Sequence, residues 1–175
     1  MARDDGIRAA LARVARRISG RPEEARRTDT GSAVIEDGLR VVFRMGQWSL
    51  PMDMPAALGG GGTAPTPGVY GRAAIAGCLA VTLKLEAVRM GVAVGAIEVM
   101  VETDVDDRGD FALDGVPPGI ERWRLAVVIE GAASQDLRQQ LLDNALAVSS
   151  WIDVARRAQD MRIELRAPER IDPVA

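Results

Sequence analysis

Residues 58–92 read LGGGGTAPTPGVYGRAAIAGCLAVTLKLEAVRMGV, and this stretch decides the fold. Its first part, residues 59–68, is rich in glycine and proline and predicts a flexible, exposed loop. The loop leads directly into a long helical pattern that has no charged residue between positions 73 and 83. The centre of that pattern holds Cys78, the one cysteine of the chain. The stretch therefore predicts a buried central helix, with Cys78 as the strongest candidate for chemistry.

On both sides of this helix the hydrophobic period changes to two, which is typical of half-buried strands. The stretches that alternate in this way are residues 32–44, 47–53, 97–102, 123–129 and 161–166. The first of them contains Asp37-Gly38, a strong signal for a hairpin turn, and is therefore predicted to form two antiparallel strands. Because each strand has one apolar and one polar face, we predict a mainly antiparallel sheet.

Three further helical regions are predicted outside the central helix. The N-terminal region has apolar residues at helical spacing, namely Ile7, Leu11, Val14 and Ile18. Ser134 is a candidate N-cap for a later helix, and Ser149 with Ser150 precedes what reads as a fresh helix start. Together, the helices and alternating strands predict an α+β protein.

The composition excludes several classes of function. The chain has 175 residues, no histidine, a single cysteine and a net charge of −3. Without histidine it lacks the usual general base and the commonest metal ligand, and one cysteine cannot form an internal disulfide. We therefore expect no metal and no cofactor, no nucleic-acid partner and no membrane partner. A lone thiol and the lack of a secretory signal favour the cytoplasm.

The glycine loop, the approach Pro65-Thr66-Pro67 and the helical element Ala76-Gly77-Cys78 occur together in one known family. In these features the chain resembles the OsmC/Ohr family, named for osmotically inducible protein C and organic hydroperoxide resistance. The order of strands and helices agrees from about residue 29 to residue 166. The resemblance implies an OsmC-like α+β fold, with a long central helix and an intertwined homodimer. It divides the chain into an N-terminal helix and linker, residues 1–28, and an OsmC-like domain, residues 29–175.

The resemblance also implies site residues. Peroxidatic members of the family use one cysteine on the central helix and a second at the start of a late helix, completed by a glutamate and an arginine. Cys78 matches the first cysteine, whereas Leu146 is predicted to hold the place of the second and Gly68 that of the glutamate. Arg27 is the nearest candidate for the arginine, although another arginine remains open.

Two functions remain open at this point. The first is a thiol-dependent organic hydroperoxide reductase of the oxidative stress response, which uses Cys78 with an external reductant. The second is a catalytically degenerate OsmC-like dimer that binds an apolar small molecule or a partner. The residues alone favour a packing role for Cys78, because burial beside Ile75, Leu79 and Leu83 without a cationic neighbour would raise the pKa of the thiol. The resemblance favours the redox role.

Overall fold

The computed structural model of the chain describes residues 2–167. Its helices are α1 (Ala2–Gly20), α2 (Pro67–Met90), α3 (Asp107–Asp110), α4 (Gln135–Val148) and α5 (Ser150–Arg156). Its strands are β1 (Ser32–Ile35), β2 (Val41–Met45), β3 (Trp48–Met52), β4 (Ile97–Val105) and β5 (Ile120–Ile129). All strand pairs are antiparallel, so the predicted α+β class with mainly antiparallel pairing is confirmed. No described helix is long and apolar enough to cross a membrane.

The strands form two small sheets, β1-β2-β3 and β4-β5. In the first, Val34 pairs with Val42, and the predicted turn at Asp37-Gly38 connects the two strands. Gly38 has a φ of 59°, a left-handed conformation that glycine adopts without strain. In the second sheet, Val99 pairs with Val127, and both partly buried side chains pack against the hydrophobic core.

The core lies where α2 packs against α4, α5 and the second sheet. Its buried side chains are Ile75, Leu79, Leu83 and Ala87 of α2, Ile129 of β5, Leu141 and Ala145 of α4, and Ile152 of α5. The other side of α2 is open, and Val69, Ala73, Gly77 and Val81 are exposed along it at intervals of four residues. One long helix therefore has a covered face and an uncovered apolar face.

The N-terminal helix lies against the last turns of α2. Lys84 Nζ is 2.9 Å from Asp4 Oδ1, and the Arg8 guanidinium donates to the carbonyl oxygen of Val88 at 3.3 Å. A cation near the last carbonyl groups of a helix is favourable because the helix dipole is negative there. The predicted division between residues 1–28 and 29–175 stays a prediction, and residues 168–175 of the second segment lie outside the described residues.

The prediction of a final strand at residues 161–166 is wrong. This segment has no regular secondary structure, and the side chains of Met161, Ile163 and Leu165 are 77%, 87% and 103% exposed. Alternation supplies an apolar face, but a strand forms only where its backbone groups find a neighbouring edge. In the described part of the chain no strand pairs with this segment.

Candidate functional site

Cys78 lies in the middle of α2, where the helix meets the junction between α4 and α5. Its side chain is partly exposed. The sulfur atom Sγ is 3.5 Å from Ser149 Oγ and 3.8 Å from Ser150 Oγ. Ser149 is 2% exposed and is the residue that separates α4 from α5. The structure therefore brings the thiol together with two hydroxyl groups that lie more than seventy residues away in sequence.

These neighbours change the acidity of the thiol. Burial has the largest single influence and raises the pKa of Cys78, but hydrogen bonds act in the opposite direction. They come, in decreasing order, from the Ser149 hydroxyl, the Trp151 backbone N–H, the Ser150 hydroxyl and Thr82. Together they outweigh burial, so the pKa of Cys78 lies below its usual value of 9.0. A thiol with a lowered pKa forms the reactive thiolate more readily.

The expectation of a net rise in the pKa of Cys78, based on burial beside Ile75, Leu79 and Leu83, is therefore wrong. Those three side chains are buried on the core face of α2, whereas Cys78 is partly exposed. The reason is helix geometry, because each residue step turns the side chain by about 100° around the axis. Cys78 is therefore close to these apolar residues in sequence but does not share their buried face of the helix.

The predicted position of the second site residue also needs correction. Leu146 is partly buried and packs against the hydrophobic core. The side chain that faces Cys78 is Ser149, three residues later in the chain. The sequence contains a signal for this region, because Ser149-Ser150 predicts a helix start, but a helix-start pattern does not indicate where the hydroxyl groups point.

The predicted arginine does not accompany Cys78 in the single chain. Arg27 Nε is 3.0 Å from Asp29 Oδ2, and the Arg27 side chain is 80% exposed in this ion pair. Gly68 lies in the first turn of α2, and its carbonyl oxygen accepts a hydrogen bond from Arg72 Nη1 at 3.0 Å. The same guanidinium also donates to Thr103 Oγ1 on β4, so Arg72 links the start of α2 to the second sheet.

The glycine loop ahead of α2 is fastened by a buried carboxylate. Asp53 Oδ2 accepts hydrogen bonds from the backbone N–H and the hydroxyl of Thr63 at 3.0 and 2.8 Å, and Oδ1 accepts from Gly61 N–H at 3.3 Å. These bonds, the Thr63 backbone bond first, lower the pKa of Asp53 to about 2. A Cβ on Gly60 would clash with the carbonyl oxygen of Met54. The loop is exposed, as predicted, and the hydrogen bonds to Asp53 fix its path.

An apolar groove of about 520 Å³ lies on the core side of α2. Ile75 and Leu79 contribute to its wall from α2, and Trp123 and Leu125 contribute from β5. Leu142 of α4 is a further lining residue, and the lining also includes the polar side chains of Gln135, Gln139 and Arg156. Leu79, which lines the groove, directly follows Cys78 in the sequence. The groove therefore lies on the face of α2 next to the one that carries the thiol.

The fold and the site define a class of α+β proteins in which a long central helix presents a thiol to the start of a late helix. Within that class the chain belongs to the OsmC-like protein family, whose profile matches residues 59–164, more than half of the chain. The family assignment confirms the resemblance seen in the sequence. No curated protein matches the sequence.

Solved structures agree with the family assignment. An OsmC-like protein from Mycoplasma pneumoniae superposes with a TM-score of 0.64 at 13% identity, covering 74% of this chain and 87% of that chain. An organic hydroperoxide resistance protein from Elizabethkingia anophelis gives 0.59 at 18% identity, covering 75% and 89%. The organic hydroperoxide resistance protein OhrB of Bacillus subtilis gives 0.51 at 19%, covering 74% and 91%. At these identities the likeness establishes the fold alone.

Proposed function

We propose that this protein is a thiol-dependent organic hydroperoxide reductase in which Cys78 is the reacting group and an external thiol is the reductant. The observation that carries the proposal is the setting of Cys78, a partly exposed thiol whose pKa is lowered by hydroxyl and backbone donors. Solved relatives named as organic hydroperoxide resistance proteins support the choice of substrate. We place this activity in the oxidative stress response of the cytoplasm.

The proposed reaction needs no metal. The thiolate of Cys78 attacks the terminal oxygen of the hydroperoxide, the O–O bond breaks, and the alkoxide leaves as an alcohol after taking up a proton. Cys78 is then a sulfenic acid. An external thiol condenses with it, which releases water and leaves a mixed disulfide. A second external thiol attacks the external sulfur of this disulfide. The Cys78 thiolate is released, and the two external thiols leave joined as a disulfide.

The test is consumption of cumene hydroperoxide by purified protein with 2-mercaptoethanol as reductant. We expect turnover that disappears in Cys78→Ser, because serine has no redox chemistry. Ser134→Ala is a matched control, since it removes a hydroxyl at the start of α4 without touching the thiol. Circular dichroism checks that the variants fold. Wild-type protein that leaves the hydroperoxide unconsumed, or Cys78→Ser with undiminished turnover, contradicts the proposal.

We further propose that the working unit is a homodimer in which the open face of α2 is covered by a second copy. Val69, Ala73, Gly77 and Val81 form an exposed stripe of small and apolar residues, and Val69 and Val81 are each more than half exposed. Such a face is unfavourable in water and favours close helix contact. The residue intervals place this stripe beside Cys78 on the helix, so a second copy would also limit access to the thiol.

The alternative, a catalytically degenerate dimer that binds an apolar small molecule, is supported by the groove beside α2. Its volume and lining of Trp123, Leu125 and Leu142 suit a small apolar ligand. Two single variants, Cys78→Ser and Leu142→Gln, distinguish the two functions. For each variant we measure hydroperoxide turnover and the fluorescence of a bound naphthalene probe. A reductase loses turnover in Cys78→Ser, whereas a binding protein shows no turnover and loses the probe only in Leu142→Gln.

A further inference from the structure

Two serines occupy equivalent positions at the starts of helices, and they behave differently. Ser134 is the N-cap of α4, and its hydroxyl accepts a hydrogen bond from the Leu137 backbone N–H at 3.3 Å. This is the usual role of a serine at that position. Ser149 is the N-cap of α5, but its side chain makes no capping hydrogen bond. Its hydroxyl lies instead 3.5 Å from Cys78 Sγ.

The Ser149 hydroxyl is held in that direction by burial. Only 2% of the residue is exposed. Ser150 differs, because its hydroxyl is more distant from the sulfur, at 3.8 Å, and the residue is exposed. A buried hydroxyl that does not cap a helix needs another hydrogen-bond partner. Among the described residues, the partner of the Ser149 hydroxyl is the Cys78 sulfur. The Ser149 hydroxyl is therefore the more constrained of the two hydroxyl groups beside the sulfur.

The chemistry of serine has a consequence for the oxidised state. A hydroxyl can donate to a thiolate and stabilise it, but it cannot form a disulfide. With Ser149 facing the sulfur, a sulfenic acid on Cys78 has no second thiol in the chain with which to condense. A cysteine at position 149 would need to close the present 3.5 Å separation to about 2 Å, the length of a disulfide bond.

We propose that Ser149 is the positioning residue of Cys78. First, its hydroxyl does not cap α5 and instead stabilises the Cys78 thiolate by a hydrogen bond. Second, because a serine at this position cannot form a disulfide, oxidised Cys78 reacts with an external monothiol. The second half of this proposal rests on the proposed reductase function. The first half rests only on the geometry of the thiol and its hydrogen-bond donor.

The experiment compares Ser149→Ala and Ser149→Cys with the matched variants Ser134→Ala and Ser134→Cys. The first measurement is the native-state rate of Cys78 alkylation by iodoacetamide as a function of pH. We expect Ser149→Ala to react several-fold more slowly near neutral pH, with its profile moved to higher pH, because a donor to the thiolate is lost. We expect Ser134→Ala to keep the wild-type profile even where its thermal stability falls. A wild-type profile in folded Ser149→Ala overturns the proposal.

The second measurement uses diamide as oxidant and mass spectrometry as readout. In Ser149→Cys, diamide should produce a monomer that has lost two hydrogen atoms and resists alkylation, whereas Ser134→Cys should form no disulfide within its chain. If Ser149→Cys keeps two alkylatable thiols after diamide, the assigned geometry is wrong. Neither measurement uses a hydroperoxide, so absent turnover would contradict the reductase function without changing these results.

The external reductant is tested in the active protein. After one equivalent of cumene hydroperoxide followed by one equivalent of 2-mercaptoethanol, with no excess thiol to carry the second exchange, wild-type protein should carry a mixed disulfide on Cys78, and Ser149→Cys should instead carry a disulfide within the chain. A mixed disulfide of equal yield in both proteins overturns the second half of the proposal. In that case the alkylation profiles still decide the first half.

Discussion

The two faces of α2 both carry apolar residues but have different surroundings in the fold. On the covered face, Leu79 and Leu83 are buried where α2 packs against α4, α5 and the second sheet. On the open face, Val69 and Val81 are each more than half exposed. Cys78 is partly exposed beside the open face. The difference shows that the covered face stabilises the single chain, whereas the open face presents a surface that a second copy is proposed to cover.

The largest effect is expected from the buried side of the helix. Leu83→Ala should lower the free energy of unfolding by about 2–5 kcal/mol, because it leaves a cavity at a side chain that is 0% exposed. Val81→Ala, two residues away and 60% exposed in the single chain, should cost clearly less in the same urea titration, because valine loses less apolar surface than leucine even where the proposed second copy covers it. An equal loss of unfolding free energy in the two variants would contradict the assignment of a covered and an open face to α2.

The open face is tested by placing a charge on it. Val81→Glu should raise the dissociation constant of the proposed dimer by about a hundredfold or more, because an unpaired charge would be buried at the interface. Multi-angle light scattering at micromolar concentration measures the change from dimer to monomer mass. Val14→Glu on α1, also at an exposed apolar position, is the control and should stay dimeric. A monomeric wild-type protein would contradict the dimer itself.

The smallest effect concerns the loop that leads into α2. The folded protein lowers the pKa of Asp53 from 3.8 to about 2, so the Asp53 carboxylate contributes stability that is complete above pH 4–5. This contribution is lost as the pH falls through the range from about 4 to about 2. Asp53→Asn should therefore show a weaker fall of melting temperature over this range than wild-type protein.

The control for this measurement is Asp110→Asn, because Asp110 is exposed on α3 and does not belong to the loop. Melting curves recorded from pH 6 to pH 2 compare the three proteins. Parallel curves for Asp53→Asn and wild-type protein would show that the loop carboxylate does not support the start of α2.

Much of the fold could be predicted because its signals are local. The Asp37-Gly38 turn, the alternation in β4 and β5 and the Ser134 cap depend on residues close in sequence, and the structure contains all of them. The contact between Cys78 and Ser149 could not be read in this way, because it joins residues 71 positions apart through the packing of α2 against α5. The sequence indicated a helix start at Ser149, but only the packing shows that its hydroxyl faces sulfur.

The sequence by itself determined the α+β class, the central helix with its lone thiol, and the family. Only the tertiary structure decided which surfaces these elements meet. The glycines of residues 59–62 predicted an exposed loop, but not that the buried carboxylate of Asp53 accepts hydrogen bonds from its backbone. The alternation of residues 161–166 predicted a strand, yet those residues have no partner strand in the described chain. In both cases the structure of the segment depends on hydrogen bonds to groups elsewhere in the chain. A local sequence pattern does not show whether those groups lie within reach.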